Sequence, residues 1–237
     1  MMKNDIIRRN PLRMMGYDTD DILSAGQFGA LMARAGIGKT AFLVQIAIDK
    51  MLREKNVLHI SLSEPVDKVC LWYEEVFRNI ASTCGLTQLD PLWETILPKR
   101  LVMTFKAEGF SVPKLEERIT DLTEQDIFLP QTLLIDGMSF EDTPRSTFTA
   151  LKELAARFAL PVWFTVRTHR HQSPADDGMP FQMLNVADLF EVAIGLQPEA
   201  ERITVRPVKG GPAADGQAVV LDPSTMLIND EPRETAV

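Results

Sequence analysis

Cysteine, histidine and long apolar runs are all scarce in this chain, and each scarcity argues against a class of function. The two cysteines, Cys70 and Cys84, lack any metal-ligand spacing. They read as buried thiols of a reducing compartment, not as part of a disulfide framework. Of the three histidines, His169 and His171 flank Arg170; a metal site needs more ligands than these, so the stretch reads as a solvated basic loop. No apolar run approaches the ~20 residues needed to span a bilayer. The N-terminal MMKNDIIRRNPLRMM has basic residues but no apolar core of about 7–15 residues and no small-residue cleavage site. A secretory signal is therefore not expected, no membrane association is expected, and a cytoplasmic location is. Basic charge is also short: 25 Lys and Arg against 33 Asp and Glu leave a net charge of −8. That balance disfavours nucleic acid as a partner, although it leaves room for a local basic strip. No internal repeat or low-complexity segment is present.

What is there suits one ordinary globular domain. At 237 residues, with 45% hydrophobic and 24% charged, the chain can bury ~70–75% of its unfolded surface without metals or disulfides. We expect an arm over residues 1–19, loose or packed on a neighbouring subunit, a domain over 20–228, and a disordered tail over 229–237. The centre of the domain is Ala33-Arg34-Ala35-Gly36-Ile37-Gly38-Lys39-Thr40, followed by Ala41. An apolar run, Phe28–Met32, precedes it as a strand, and Ala41–Ile48 continues as a helix. In that context the glycines form a phosphate-cradling turn, a P-loop, with Lys39 placed to reach β- and γ-phosphates and the Thr40 hydroxyl to ligate Mg²⁺. The usual motif opens with glycine, and Ala33 stands in that place.

The remaining pattern alternates strands and helices. Strands are expected at Val57–Leu62, Arg100–Phe105, Thr132–Asp136 and Pro161–Val166, and helices at about Lys39–Arg53, after Pro65, from Ser111 to about Glu124, and from about Pro144 to Ala159. A shorter helix is expected near Leu92–Ile96, and another from Asp20 to Gly26. This rhythm predicts an α/β fold built on a mostly parallel sheet. Residues 168–182 form a polar loop. Three short strands then follow, Leu189–Leu196, Ile203–Val208 and Ala218–Leu221, with Gly-containing turns suited to antiparallel hairpins.

Two acidic residues join the P-loop as candidates. Asp136 ends a hydrophobic strand, where a carboxylate near Mg²⁺ is needed, and Glu64 follows the strand after the P-loop helix, where a group to activate water could sit. The arrangement resembles the RecA-like ATPase superfamily. GQFGALMARAGIGKTAFLVQIA looks most like the DnaB-type hexameric helicases, whose P-loop also opens with Ala-Arg, and the clock ATPase KaiC and RadA-like proteins share the core order. The resemblance implies a three-layer P-loop NTPase fold with a mostly parallel twisted sheet and antiparallel C-terminal strands, covering residues 20–228. It implies ATP and Mg²⁺ as ligands, Glu64 polarising water, Asp136 holding Mg²⁺ through water, and a homo-oligomer with sites between subunits. It aligns Arg167 with a γ-phosphate-sensing glutamine, where an arginine can make a charge-assisted contact. It also aligns Arg206-Pro207-Val208-Lys209-Gly210 with a Lys-x-Arg-Gly finger acting in trans, leaving Arg206 and Lys209 as candidate finger residues. A weakened finger implies a slow or partner-activated ATPase. A non-hydrolysing ATP-gated scaffold and a DNA-acting motor or recombinase paralogue are the alternatives. The absence of a guanine-reading Asn-Lys-x-Asp pattern leans towards ATP.

Overall fold

Side chains alternate across each strand, and this alternation sorts the apolar residues onto two faces of one sheet. The computed structural model describes residues 6–8, 10–17, 21–85, 89–106, 109–169, 175, 178–200, 202–211 and 219–228. In chain order the elements are α1 (Pro11–Met14), β1 (Phe28–Ala33), α2 (Lys39–Leu52), β2 (Val57–Ser61), α3 (Val66–Thr83), α4 (Asp90–Ile96), β3 (Arg100–Thr104), α5 (Val112–Glu124), β4 (Thr132–Asp136), α6 (Arg145–Arg157), β5 (Val162–Arg167), β6 (Val192–Glu199), β7 (Arg202–Lys209) and β8 (Val219–Leu221). Phe28, Ala30 and Met32 of β1 pack with Leu133, Ile135, Phe164 and Val166 against α5 and α6. Leu31, Leu134 and Trp163 point the other way, to α2 and α3. The sheet is thus the middle of three layers, and every residue of β1 is buried, as a strand covered on both faces must be.

The strands are ordered β3-β2-β4-β5-β1-β6-β7-β8. From β3 through β6 all neighbours are parallel, whereas β7 and β8 are antiparallel additions. The mostly parallel sheet with antiparallel C-terminal strands is therefore present. β6 differs from the hairpin strand expected of it, since it runs parallel to β1 on one side and antiparallel to β7 on the other. The connection from Thr168 to Glu191 is long enough to return the chain to the opposite edge, so β6 starts where β1 starts.

Three local expectations fail, the first being the burial of Cys70 and Cys84, both of which are only partly buried. The described residues from Asp21 to Gly26 form turns, not a helix. Gly26 has φ 76° and its N–H donates to the Leu160 carbonyl; a Cβ there would lie 3.1 Å from Ala156 Cα. Glycine permits this close backbone approach to α6 and does not mark a helix stop. The expected arm is part of the body over residues 10–17, where Leu12, Met15 and Tyr17 are buried. Pro11 occupies the first turn of α1, and the Asn10 side chain accepts the Leu12 N–H at 2.9 Å. Arg13 reaches Asp49 of α2 at 4.0 Å. The tail over 229–237 and loop residues 170–174, 176 and 177 lie outside the described residues. Among the described residues no helix is long and apolar enough to cross a membrane.

His59, in the middle of β2, is fully buried. Its Nδ1 lies 3.0 Å from the Tyr73 hydroxyl, while Nε2 has no partner. Burial pulls the imidazole pKa down from 6.5 to about 4, with the Asp136 carboxylate opposing and Arg100 assisting that shift. Between these values the unfolded chain binds the extra proton and the folded chain does not. Stability conferred by the neutral ring is therefore complete above pH ~6.5 and is lost as pH falls towards about 4, to the extent of roughly 3 kcal/mol. Urea midpoints measured from pH 7 to pH 4.5 should fall more steeply for the unsubstituted protein than for His59→Gln.

Candidate functional site

Because β1, β2, β4 and β5 are parallel, their C-terminal ends share one edge of the sheet, where ligands bind in open α/β folds. The ladder pairs Ala33 with Arg167 and Ser61 with Asp136, so the glycine loop after Ala33, the Glu64 turn, Asp136 and Arg167 all leave the sheet there. Ala33 is the last residue of β1 and is buried. In extended backbone any residue is accommodated, so the position does not require glycine.

Beyond Ala33 the chain turns through Arg34, Ala35, Gly36, Ile37 and Gly38 into α2. Gly36 and Gly38 have φ 77° and 96°, left-handed conformations that favour glycine and turn successive N–H groups towards one side. Gly38 occupies the N-cap of α2 with no side-chain cap. The first-turn N–H groups of Lys39, Thr40 and Ala41 are left for an anion, at the positive end of the helix dipole. Lys39 Nζ donates to the Ala33 carbonyl at 3.0 Å and the Arg34 carbonyl at 2.8 Å, closing the loop upon itself. Burial lowers the Lys39 pKa; Asp136 works against that shift and Arg167 adds to it.

Asp136 faces α2 because it lies two residues beyond Leu134 on the same side of the sheet. Its carboxylate, only 4% exposed, accepts the Thr40 hydroxyl at 2.8 Å through Oδ2 and the Thr165 hydroxyl at 2.5 Å through Oδ1. Thr165 in turn accepts the Gly137 N–H at 3.0 Å. Thr165 was not singled out from the sequence. The only signal was a hydroxyl in the otherwise apolar core of Val162-Trp163-Phe164-Thr165-Val166, two residues past the α2-facing Trp163.

Glu64 is brought to the same edge by a different device. Ser61 Oγ accepts the Glu64 N–H at 3.1 Å and donates to the Glu64 carbonyl at 2.8 Å, fixing a tight turn at the end of β2. Leu62 N–H donates to the Asp136 carbonyl at 2.9 Å, and a Cβ on Gly137 would stand 2.6 Å from Ser63 Oγ. The turn thus runs directly beside the Asp136–Gly137 backbone. The half-buried Glu64 carboxylate is turned to Lys68, at 2.9 Å, one helical turn along.

The late strands do not join this group. Arg206 pairs with Glu199 at 3.4 Å, and Lys209 Nζ donates to the Ala187 carbonyl at 2.7 Å. His169 lies 3.3 Å from Glu141, and Arg170 and His171 fall outside the described residues. Among the described residues, no group of three or more His, Cys, Asp or Glu is placed to hold a metal. The Thr40 hydroxyl and Asp136 carboxylate are hard oxygen donors, suited to a cation that takes its other ligands from phosphate and water, as Mg²⁺ does. Compared with known proteins, the chain matches no family model, and no curated protein is significantly similar to it.

Removing the Thr165 hydroxyl leaves Asp136 Oδ1 buried without a donor. Thr165→Val is expected to lower stability by about 1–3 kcal/mol, read from denaturant midpoints, while Thr165→Ser stays close to the unsubstituted protein.

Proposed function

We propose that the chain is a RecA-like P-loop ATPase that binds Mg·ATP and couples nucleotide state to conformational change or assembly, with hydrolysis that is slow or activated by a partner. One observation carries the reading. A loop with two left-handed glycines, Gly36 and Gly38, opens α2 at Lys39, and the next residue, Thr40, touches the buried strand-end Asp136 at 2.8 Å. A phosphate nest, a lysine, a hydroxyl and a carboxylate within one crevice are what nucleoside triphosphate with Mg²⁺ requires. The layered, mostly parallel sheet with antiparallel strands at its C-terminal end is what the RecA-like resemblance implies.

The chain's own residues then have separable tasks. Lys39 exchanges the carbonyls of Ala33 and Arg34 for phosphate oxygens. Thr40 turns its hydroxyl from Asp136 to the cation, and Thr165 keeps Asp136 oriented throughout. Glu64 exchanges Lys68 for a water and takes its proton. Arg167, exposed beside the loop, offers a charge-assisted contact to the terminal phosphate. Bound Mg·ATP supplies the electrophilic phosphorus and the cation's charge.

The second reading, an ATP-gated scaffold without turnover, is favoured by the Lys68 contact that occupies Glu64. Slow turnover is favoured by Arg206 and Lys209, the finger candidates, which are engaged within their own chain. ATP affinity measured by calorimetry should fall by about a hundredfold, or ~2.7 kcal/mol, in Lys39→Ala; unchanged affinity rejects the reading. Glu64→Gln should retain ATP binding and lose phosphate release. Equal phosphate release by Glu64→Gln and the unsubstituted protein selects the scaffold instead. Mass in solution with and without Mg·ATP, taken on the same samples, tests assembly.

A further inference from the structure

A side chain from the far end of the sequence grips the P-loop at Gly38. After β8 the chain makes a turn over Asp222–Leu227. The Met226 N–H donates to the Asp222 carbonyl at 2.7 Å, and the Asp222 N–H donates to the Leu227 carbonyl at 2.8 Å. Within the turn, Asp222 Oδ1 accepts both the N–H and the hydroxyl of Ser224 at 2.7 Å. Met226 is held at φ 59°, a left-handed conformation uncommon for a residue with a long side chain. Its thioether fills the space a side chain at position 38 would need: a Cβ built on Gly38 would stand 2.3 Å from Met226 Cε and 2.4 Å from Sδ. At Gly36 the same construction meets nothing within 4 Å.

A second contact fixes the first. Gln45, 4% exposed, donates its amide to the Met226 carbonyl at 2.7 Å. Gln45 lies seven residues after Gly38, two turns of α2, so both residues look out from one side of the helix. The C-terminal turn thus holds α2 at two points with one residue, by its carbonyl at Gln45 and by its side chain at Gly38.

We propose that Met226 is a positioning residue for the phosphate nest, holding Gly38 in its left-handed conformation before ligand arrives. Glycine has the most backbone freedom to lose, and an unliganded nest leaves adjacent N–H dipoles side by side with no anion to order them. Packing a flexible, polarisable side chain over the Cα of Gly38 removes that freedom in advance, which is how preorganisation raises affinity. The loop is therefore fixed at its helix end and free at Gly36, where the approach of a ligand is open. The inference rests on the reading of residues 33–41 as a phosphate-binding loop.

Calorimetric titrations with Mg-ATP and with Mg-tripolyphosphate, well below the unfolding temperature, test it. Met226→Ala should weaken both ligands by the same factor, about tenfold, and Met226→Leu should stay within about twofold of the unsubstituted protein. Gln45→Met, which keeps the chain length and removes the donor, should produce a smaller loss that is also equal for the two ligands. It serves as the second variant if Met226→Ala fails to fold. Unchanged affinities in Met226→Ala overturn the inference alone. A loss confined to ATP also overturns it, because Met226 would then be a wall of the base site. Failure of the unsubstituted protein to bind either ligand overturns the phosphate-loop reading and this inference with it.

Discussion

Asp136 is a carboxylate placed almost out of reach of water, and a charge in that position persists only where donors meet it. Thr40 and Thr165 supply those donors from two different elements. The requirement ties together the start of α2, the end of β4 and the end of β5, and the Gly137 N–H on Thr165 adds the turn that follows β4. Because Leu62 continues the β2–β4 ladder onto the Asp136 carbonyl, the Glu64 turn is referred to the same residue. The geometry of the crevice is thus set around Asp136, its carboxylate held from α2 and β5 and its backbone carbonyl from the end of β2.

Three side chains of the crevice have partners within the chain. Lys39 lies on the carbonyls of its own loop, Thr40 on Asp136 and Glu64 on Lys68. On the proposed reading these contacts stand in for the ones a phosphate, a cation and a water would make, so ligand binding would be an exchange and not a simple addition. The net free energy of such an exchange is much smaller than the gross strength of the new contacts. On the same proposed reading it gives a route for coupling, through the Lys68 contact at the start of α3 and through the loop that Met226 packs on at Gly38. A ligand shifts a conformational balance only through contacts that differ between its two states, and these exchanged pairs are such contacts.

Much of this was legible in the linear chain. The glycine turn between β1 and α2, the alternation of strands and helices, and the strand-end position of Asp136 follow from local chemistry: glycines for left-handed turns, apolar runs for covered strands, periodicity for helices. The meeting of residues 33–41, Asp136 and Glu64 at one edge also followed, because parallel strands put their C-terminal ends there, whereas Arg167 came only from the family resemblance. The reading of Asp21–Gly26 as a helix failed because Gly26 answers to a backbone approach by α6, far along the chain. The arm failed over residues 10–17 for the same kind of reason, since its apolar residues find the flank of α2 within their own chain.

The sequence by itself determined where the left-handed glycine turn opens a helix and which strands are buried, because those depend on residue type and on spacings of two to four residues. Only the tertiary structure decided the partners: Thr165 for Asp136, Lys68 for Glu64, Ala187 for Lys209, and Met226 for Gly38. Even Lys68, a helical turn from Glu64, competes with every other cation that could reach the carboxylate. The other pairings span 22 to 188 positions. No local pattern encodes them, because strand order and sheet register choose which of many possible donors and side chains arrives.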